Sequence, residues 1–529
     1  MGFLLHHSID ESAQRTPDHE AFRFEGKALT YGELVERSNR FAAVLVEQGV
    51  RPDDRVGLYL RKGLELPVAL YGILKAGAAY VPIDPAAPTS RVALIAADCG
   101  IRHLVTNTVH TRQATRAAAA AATIECVLGA SALEGASTRF IPWETIDTAP
   151  AVDPQVARTE QDLAYIMYTS GSTGVPKGLM HTHGSGLAYA RLSAREYGVR
   201  PDDRLGNHSP LHFDMSTFEY LTGPLVGSTT VVIPEEVTMF PRSLAALIER
   251  ERLTFWYSVP LALIQLLEQG ALEEHDLSSL RWVLFGGEPF APKHLARLAQ
   301  LWPGARFSNS YGPAEVNQCT AYHVPEGPID VDQPIPIGPV WPGAEGWIVD
   351  DQDRTVEPGE AGELLIRAPT MMRGYWSRPE LNQRSFVHRE LFPGFEKRFY
   401  RTGDLVRDRG DGNLIFLGRR DRLVKVRGYR VELDEVEAVL GALPEVAEVG
   451  VVDVRDAADQ VSLVAVVLLG EGADVGPGTL RRGAAQKLPG YALPRVEVRD
   501  ALPRTGSGKI DRTALRRELA VLTPGDARG

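Results

Sequence analysis

The stretch YTSGSTGVPKG, residues 168–178, gathers glycines, small hydroxyl side chains and one lysine directly after the apolar run Leu163 to Met167. The apolar run predicts a short buried strand, and a loop of this composition can wrap backbone N–H groups and hydroxyls around a polyphosphate. The common nucleotide-binding loop requires Ser or Thr directly after Gly-Lys, whereas Lys177 stands between Pro176 and Gly178. The pattern therefore predicts a strand followed by an anion-binding loop of another kind, with a flexible surface loop as the alternative.

Helical and strand patterns alternate along most of the chain. The segment Leu34 to Glu47 has a helical pattern, and short apolar runs such as Arg55 to Leu60 and Thr229 to Ile233 have the composition of buried strands. Alternation of this kind predicts an α/β fold with mainly parallel strands. The alanine-rich segment Ala114 to Thr123 predicts an exposed helix or loop.

The pattern changes towards the C-terminus. Shorter strands with glycine turns are followed there by a helix pattern at Val436 to Ala442 and a strand pattern at Val461 to Leu469. We expect two domains, because 529 residues exceed what one core usually holds. The predicted domains are residues 1–420 and 421–529.

Composition and charge exclude several classes of function. The net charge of −11 argues against nonspecific binding to nucleic acid. No apolar run approaches the ~20 residues that a membrane-spanning helix needs, and the N-terminus does not have the pattern of a signal peptide. The three cysteines, Cys99, Cys126 and Cys319, show no spacing typical of disulfides or zinc sites. These features predict a cytoplasmic protein with neither a membrane nor a nucleic acid as its partner.

Several unusual stretches follow one another in a fixed order. In chain order they are LKAGAAYVPIDP from Leu74, YTSGSTGVPKG from Tyr168, FDMSTFE from Phe213, NSYGPAEVNQC from Asn309, GELLIRAPTMMRGYW from Gly362, YRTGDL from Tyr400, GRRDRLVKVRGYRVELDEVE from Gly418, LPGYALP from Leu488 and PRTGSGKID from Pro503. Together they resemble the core motifs of adenylate-forming enzymes, and specifically of the amino-acid adenylation domains of nonribosomal peptide synthetases. The resemblance implies an α/β fold in which a large N-terminal domain of mixed sheets and helices precedes a small, mobile α+β C-terminal domain.

The resemblance also implies a reaction in two steps, with ATP and Mg²⁺ as cofactors. A carboxylate oxygen of the substrate attacks the α-phosphorus of ATP, which gives an acyl-adenylate and releases pyrophosphate. A phosphopantetheine thiol then displaces AMP and forms a thioester. Because two anions react in the first step, a lysine, a magnesium ion and backbone donors would lower its barrier.

Motif matching implies roles for individual residues around the nucleotide. Lys509 would be the catalytic lysine that bridges the substrate carboxylate and the α-phosphate, with a solvated tail lysine as the alternative. Glu315 would hold magnesium with help from Thr169, because a hard cation prefers oxygen ligands. The residues implied in nucleotide binding are Ser170, Gly171, Ser172, Thr173, Gly174, Lys177, Asn309, Tyr311, Gly312, Asp404 and Arg419.

Three of these residues have specific implied contacts. Asp404 would hold the ribose hydroxyls, Tyr311 would offer a ring face to adenine, and Asn309 would meet the exocyclic amine. The alternatives are a turn-forming role for Asp404 after Gly403 and a packed turn position for Tyr311 beside Gly312.

Asp214 narrows the class of substrate. In amino-acid adenylation domains an aspartate at this position pairs with the α-ammonium group, and a buried carboxylate needs such a partner. An N-cap of the following helix is the alternative role for Asp214. The residues that align with the substrate-binding site are Phe213, Asp214, Met215, Phe218, Ser258, Leu284, Gly286, Ser310, Gln318 and Cys319.

The size of the side chains in this pocket predicts the size of the substrate. Because Met215, Phe218 and Leu284 consume volume, we expect a small amino acid of the alanine, glycine or serine class. Gly286 and Ser258 would leave openings that weaken this volume argument.

The C-terminal motifs imply how the enzyme would work with a partner. Asp421 in GRRDR matches the hinge about which family members rotate the small domain between the two half-reactions. No carrier-domain serine motif follows KIDR, so we expect a stand-alone enzyme that loads a separate, free-standing carrier protein through its phosphopantetheine arm. A small helper protein stays open as a further partner. The alternatives are a carboxylate–CoA ligase of the same superfamily and a non-catalytic binding or scaffold protein on the same fold.

Overall fold

The computed structural model describes residues 2–133, 138–171, 176–420, 422–456, 460–470, 472–504 and 510–521. The chain divides into two compact units. The first unit comprises Met1–Pro85, Ala96–Tyr168 and Gly178–Arg420, and the second comprises Ala86–Ile95, Thr169–Lys177 and Asp421–Gly529.

The elements up to residue 420 alternate between short strands and helices. The strands are β1 (Glu20–Phe24), β2 (Lys27–Thr30), β3 (Arg55–Leu58), β4 (Ala79–Pro82), β5 (His103–Val105), β6 (Cys126–Leu128), β7 (Arg139–Ile141), β8 (Leu163–Thr169), β9 (Lys177–Thr182), β10 (Arg204–Asn207), β11 (Thr229–Val232), β12 (Phe255–Ser258), β13 (Trp282–Gly286), β14 (Arg306–Tyr311), β15 (Thr320–His323), β16 (Glu345–Val349), β17 (Ala361–Arg367), β18 (Gly374–Tyr375), β19 (Phe386–Phe392), β20 (Phe395–Asp408) and β21 (Leu414–Arg419). The helices are α1 (His7–Arg15), α2 (Tyr31–Glu47), α3 (Glu65–Lys75), α4 (Thr89–Cys99), α5 (Thr111–Ala120), α6 (Trp143–Ile146), α7 (His183–Glu196), α8 (Gly223–Val226), α9 (Glu235–Thr238), α10 (Pro241–Arg250), α11 (Pro260–Gln269), α12 (Pro292–Leu301) and α13 (Pro379–Ser385).

Two eight-stranded sheets form the framework of this part of the chain. The first has the strand order β15-β14-β13-β12-β10-β11-β1-β2, and the second has the order β18-β9-β8-β4-β3-β5-β6-β7. Strands β10 to β14 pair in parallel in the first sheet, as do β3 to β8 along the second. Every residue of β11, β12 and β13 is buried, as expected for parallel strands that are covered on both faces.

A third sheet of the first unit is antiparallel. Its order is β16-β17-β20-β19, with β21 paired to β20. The long strand β20 carries the YRTGDL motif. Its antiparallel pairing with β21 places Asp404 of this motif opposite Arg419.

Several elements follow directly from the local sequence. The apolar run before the glycine-rich stretch forms β8, which confirms the predicted strand. Helix α2 begins with a capping box, in which Thr30 Oγ1 accepts a hydrogen bond from Glu33 N while the Glu33 carboxylate accepts one from Thr30 N. The prediction of an exposed alanine-rich segment is wrong in part: α5 is helical, but Ala114 and Ala117 are fully buried because they lie on its inner face.

The second unit has its own elements and core after residue 421. Its strands there are β22 (Leu423–Val426), β23 (Tyr429–Glu432), β24 (Val446–Arg455), β25 (Val461–Leu469) and β26 (Arg495–Val498), and its helices are α14 (Leu433–Gly441), α15 (Pro477–Ala484) and α16 (Arg512–Val521). Strand β25 pairs antiparallel with β24 and parallel with β26. Val436 and Leu440 of α14 pack with Val451 and Ala465 of this sheet in one buried cluster. The predicted helix and strand of this region are therefore confirmed.

The α/β fold class, with a large N-terminal and a small C-terminal part, is confirmed. Among the described residues, no helix combines the length and the apolar character that crossing a bilayer requires.

Candidate active site

Three residues that motif matching assigns to the nucleotide lie together in the first unit. Asp404 Oδ1 accepts a hydrogen bond from Arg419 Nη1 at 2.5 Å, and Asp404 Oδ2 accepts one from the Tyr311 hydroxyl, also at 2.5 Å. Burial and the charge of Asp404 raise the pKa of Tyr311 well above its usual value, so the hydroxyl keeps the proton that it donates. The Asp404 carboxylate is thus held by two donors, and each of its oxygens can accept a second hydrogen bond from a ligand.

The register of β20 and β21 explains this arrangement. Asp404 lies directly opposite Arg419 in the antiparallel pair. The preceding Gly403 has a φ of 72°, and its N–H donates to Glu363 Oε1 at 3.0 Å, while Asp404 N–H donates to Thr402 Oγ1 at 3.0 Å. Asp404 therefore lies within a strand, and the alternative of a turn-forming aspartate receives no support.

The segment after Tyr311 makes a tight turn. A Cβ atom added at Gly312 would lie 2.1 Å from the carbonyl oxygen of Asn317, so only glycine fits there. Asn309, two residues before Tyr311 on β14, is 8% exposed and donates from Nδ2 to Pro336 O at 2.8 Å. The main chain thus orients the Asn309 amide before any ligand binds.

Glu315, the predicted magnesium ligand, is fully buried in the same turn. Its Oε1 accepts a hydrogen bond from the Tyr375 hydroxyl at 2.8 Å. The neighbouring Ala314 carbonyl accepts a hydrogen bond from His181 Nε2 at 3.2 Å. Burial lowers the pKa of His181 to about 4, so the ring is neutral at neutral pH and Nε2 carries the donated hydrogen. Neither Tyr375 nor His181 was singled out from the sequence.

Asp214 begins a short 3₁₀ turn, which a π-helical segment follows at Phe218–Thr222. Asp214 Oδ1 accepts a hydrogen bond from the adjacent Met215 N at 3.0 Å, and no side chain caps the turn. The N-cap alternative therefore receives no support. Burial raises the pKa of Tyr165 and Tyr257, and the nearby charge of Asp214 raises both further.

The bulky residues predicted for the substrate pocket do pack together. Met215, Phe218 and Leu284 are at most 8% exposed and belong to one buried cluster that is rich in aromatic side chains. The Phe218 ring centroid lies 5.7 Å from that of Phe255 and 6.0 Å from that of Tyr257. The turn that starts at Asp214 therefore carries its bulky side chains into a densely filled region.

Two further pocket candidates share a partner that sequence reasoning missed. Gln318 Nε2 donates to the Tyr197 hydroxyl at 2.8 Å, and the same hydroxyl lies 3.0 Å from Ser310 Oγ. Gln318 Nε2 is also 3.3 Å from Thr320 O. Tyr197 is 2% exposed and belongs to the same cluster as Phe218. No local pattern around Tyr197 could have revealed this role, because its partners lie more than 110 residues away.

The remaining pocket candidates have structural reasons for their residue types. A Cβ atom at Gly286 would lie 2.2 Å from Ser310 O, so this glycine permits the close approach of β14 rather than opening space for a substrate. Ser258 Oγ accepts a hydrogen bond from Trp256 Nε1 at 2.8 Å. Cys319 is fully buried, and burial raises the pKa of its thiol. Phe213, also predicted for the site, is the residue directly before the 3₁₀ turn.

Of the loop residues with an implied role in binding ATP or magnesium, the structure describes Thr169, Ser170, Gly171 and Lys177, all within the second unit. Thr169, at the end of β8, has a buried hydroxyl with no hydrogen-bond partner. Ser170 Oγ donates to Arg430 O at 2.8 Å, and Lys177 Nζ pairs with Glu432 Oε1 at 3.2 Å. Gly171 follows Ser170. Thr169, in the second unit, and Glu315, in the first, each carry an oxygen of the type that Mg²⁺ prefers, so the chemistry of each residue suits the implied ion.

The predicted residues Ser172, Thr173, Gly174, Asp421 and Lys509 lie outside the described residues. The chain is described up to Arg504 and again from Ile510. Arg504 and Ile510 form an antiparallel bridge, and Asp511 N donates to Pro503 O at 2.7 Å.

Comparison with known proteins agrees with the motif analysis. Residues 9–376 match the family described as AMP-binding enzyme, and residues 435–509 match the AMP-binding enzyme C-terminal domain. The chain is 38% identical to the L-proline--[L-prolyl-carrier protein] ligase of Pseudomonas fluorescens, over 98% of this chain and 99% of the relative. It is 35% identical to a linear gramicidin synthase protein of Brevibacillus parabrevis, over 97% of this chain and 10% of that much longer relative.

A solved structure shows the same fold along nearly the whole chain. The amide bond synthetase McbA of Marinactinospora thermotolerans superposes with a TM-score of 0.85 at 26% identity, covering 97% of this chain and 99% of McbA. The family assignment made from the ordered motifs, and the prediction that the chain is a ligase, are therefore confirmed. The protein belongs to the AMP-binding enzyme family and is a member of the adenylate-forming superfamily.

Proposed function

We propose that the protein activates a small amino acid as its aminoacyl-AMP and transfers the aminoacyl group to the phosphopantetheine thiol of a separate carrier protein in the cytoplasm. The observation that carries the proposal is the turn that begins at Asp214. It combines one carboxylate with the bulk of Met215 and Phe218 in a buried aromatic cluster. The carboxylate can pair with the substrate ammonium, and the dense packing favours a short substrate side chain.

In the proposed first step the substrate carboxylate attacks the α-phosphorus of ATP and pyrophosphate leaves. Asp404, held by Arg419 and Tyr311, would bind the ribose hydroxyls. Lys509 would neutralise the two anions that react. In the second step the carrier thiol attacks the carbonyl carbon of the aminoacyl-AMP, and AMP leaves.

Magnesium would be held by Glu315 and Thr169 and would screen the phosphate charge. The proposed hinge is Asp421, between a domain of residues 1–420 and a domain of residues 421–529. Rotation about it would present different faces of the small domain in the two steps.

Proline is a second candidate substrate. The relative from Pseudomonas fluorescens is named as an L-proline--[L-prolyl-carrier protein] ligase and matches nearly the whole chain. The proline ring is compact, so a pocket that Phe218 makes small could still accommodate proline. Its secondary ammonium still carries two N–H groups, which can donate hydrogen bonds to the Asp214 carboxylate.

Pyrophosphate exchange with a panel of amino acids tests the proposal. Alanine, glycine, serine and proline should outcompete phenylalanine, leucine and arginine, because overfilling a dense site costs ~1–3 kcal/mol, or roughly ten- to hundredfold in specificity. A preference for an aromatic or long basic amino acid would contradict the small-substrate proposal but not the adenylation chemistry. Absence of exchange with every amino acid would favour a non-catalytic binding protein.

A pair of variants separates pocket volume from general stability. Phe218→Ala should admit larger amino acids, whereas Phe255→Ala removes an equally buried ring from the same cluster and should change stability without widening the specificity. Equal broadening by both variants would refute the role of Phe218.

The thiol acceptor distinguishes the proposal from a CoA ligase. Thioester formation should require a phosphopantetheinylated carrier protein, and efficient transfer to free CoA would favour the alternative. The assay uses the purified chain alone, so full exchange activity would also show that no helper protein is needed for the first step.

A further inference from the structure

Lys62 is a buried lysine of the first unit that lies outside all the motifs described above. It is 8% exposed and lies in the loop between β3 and α3. Its ammonium group donates to the carbonyl oxygens of Asn207, at 2.9 Å, and His208, at 2.7 Å. Asn207 is the last residue of β10, which belongs to the other eight-stranded sheet. Lys62 therefore joins a loop that follows one sheet to the end of a strand in the other.

The main chain held by Lys62 leads directly to the proposed ammonium site. Only six residues separate Asn207 from Asp214. Hydrogen bonds within this segment restrict its movement: Asn207 Nδ2 donates to Ser209 O at 3.0 Å, and Ser216 Oγ donates to Phe213 O at 2.6 Å. A displacement of the chain at Asn207 would therefore move the Asp214 carboxylate.

A buried carboxyl group, that of Glu219, holds the same segment from the other side. Glu219 lies in the π-helical segment after Asp214, is 1% exposed, and accepts a hydrogen bond from Asn207 Nδ2 at 3.2 Å. Burial lowers the pKa of Lys62 to about 8 and raises that of Glu219 to about 8, and the charge of each partner opposes these shifts. Asn207 thus lies between the Lys62 ammonium group and the Glu219 carboxyl group, with its main-chain carbonyl towards Lys62 and its side-chain amide towards Glu219.

We propose that Lys62 is a positioning residue for the amino acid substrate, which holds the end of β10 so that Asp214 can receive the substrate ammonium. The inference rests on the proposed function, because it assigns Lys62 to the ammonium subsite of that same reaction. Within the described part of the chain, the Lys62 ammonium group donates its hydrogen bonds to main-chain oxygens, so its loss should weaken substrate binding more than it slows the chemical step.

The test compares two buried lysines by pyrophosphate-exchange kinetics. Lys62→Met removes the donor and nearly keeps the length of the side chain. Lys75→Met is the matched control, because Lys75 is 2% exposed on α3 but donates to the Asp10 carboxylate at 2.6 Å rather than to the main chain before Asp214. We expect Lys62→Met to raise the KM for the amino acid about tenfold. We expect its kcat and its KM for ATP to stay within about threefold, and Lys75→Met to lower the melting temperature while leaving all three parameters within that range.

Two more variants keep the test decisive. Lys62→Arg retains a cation with N–H donors and should bring the KM for the amino acid back to within about threefold of the wild-type value. If Lys62→Met does not fold, Lys62→Gln carries the test, with a rise of about threefold or more expected because a neutral donor is weaker.

The outcomes separate the two proposals. If the wild type is active and the KM for the amino acid is unchanged in Lys62→Met, or in Lys62→Gln where it replaces that variant, the role of Lys62 alone is overturned. Parallel changes of KM and kcat in Lys62→Met and Lys75→Met would also overturn it, since they would show a purely structural role. A wild type that activates no amino acid would instead refute the proposed function, and the inference with it.

Discussion

Replacing Glu437 by glutamine is expected to destabilise the second unit, because this carboxylate joins two arginines and a strand. Glu437 Oε1 accepts hydrogen bonds from Arg422 Nη2 at 2.8 Å, Arg512 Nε at 3.0 Å and Val451 N at 2.7 Å. Its Oε2 accepts one from each arginine, both at 2.9 Å. The Glu437 side chain is 13% exposed. Arg422 directly follows the proposed hinge in sequence, and Arg512 lies three residues after Lys509.

The contacts give the size of the effect. Glutamine keeps the shape of the side chain but replaces the carboxylate by a neutral amide. The guanidinium groups of Arg422 and Arg512 then lose their negatively charged partner. Breaking a fully buried ion pair costs about 3–5 kcal/mol, and an exposed pair contributes about 0–1 kcal/mol. Because Arg422 and Arg512 are 28% and 35% exposed, solvent screens part of the loss. We therefore expect the free energy of opening of the second unit to fall by about 2–3 kcal/mol.

Native-state hydrogen exchange measures this free energy locally. Amides of α14 and β24 should exchange about 30- to 150-fold faster in Glu437→Gln, which is the factor that corresponds to about 2–3 kcal/mol. Glu448→Gln is the matched control, since Glu448 pairs with Arg504 in the same unit but both side chains are 41% exposed. It should change exchange by less than about fivefold. Equal acceleration by the two variants would refute the reasoning.

The pH dependence provides a second check on Glu437. Burial by itself raises the pKa of Glu437, but the hydrogen bonds from Arg422, Arg512 and Val451 lower it more, so the pKa in the folded state is below the usual 4.5. A lowered carboxyl pKa gives stability that is present above the unfolded pKa and is lost as the pH falls through the folded value. Wild type and Glu437→Gln should therefore differ most near neutral pH and converge in acid. A difference that persists unchanged at low pH would contradict this account.

Two further predictions concern the nucleotide site and the reacting groups. Asp404→Asn should raise the KM for ATP in pyrophosphate exchange about tenfold, because Arg419 and the ribose hydroxyls lose a charged acceptor, whereas Asp411→Asn, at an exposed aspartate, should leave it unchanged. Lys509→Ala should reduce exchange by ~10²-fold or more without weakening ATP binding measured by calorimetry, and the exposed Lys487→Ala is its control. Exchange within threefold of wild type in Lys509→Ala would show that another group neutralises the reacting anions.

Local sequence was sufficient for much of the fold. Strands β8 and β25 and helix α2 were predicted because short-range signals dominate there: a continuous apolar run in the strands, and a helical pattern in α2. The alanine-rich helix α5 was misjudged, since alanine favours helices whether it is buried or exposed and its burial depends on distant elements.

The candidate site was predictable only as far as motifs reach. Motif matching named Asp404, Arg419 and Tyr311, which the structure brings together although Tyr311 lies 93 residues before Asp404. It could not name Tyr197 or Lys62, because their hydrogen bonds connect segments more than 110 residues apart and leave no local pattern. Residue type alone also suggested an opening at Gly286, where the reason for glycine is the carbonyl of a neighbouring strand.

The hydrogen bonds of the pocket side chains bear on the choice among small substrates. Gln318 Nε2 and Ser310 Oγ both engage the Tyr197 hydroxyl, and Ser258 Oγ engages Trp256 Nε1. These groups already form hydrogen bonds within the protein. None of them is therefore available to bind a polar substrate side chain unless its present hydrogen bond breaks. A substrate hydroxyl that enters this region loses water without an assured replacement, which costs about 1–3 kcal/mol. Within the proposed class, alanine or proline should therefore exceed serine by about tenfold in kcat/KM, and the amino-acid panel measures this ratio directly. A preference for serine would show that the Tyr197 hydrogen bonds rearrange to accept the substrate, which Tyr197→Phe would then reveal by abolishing that preference.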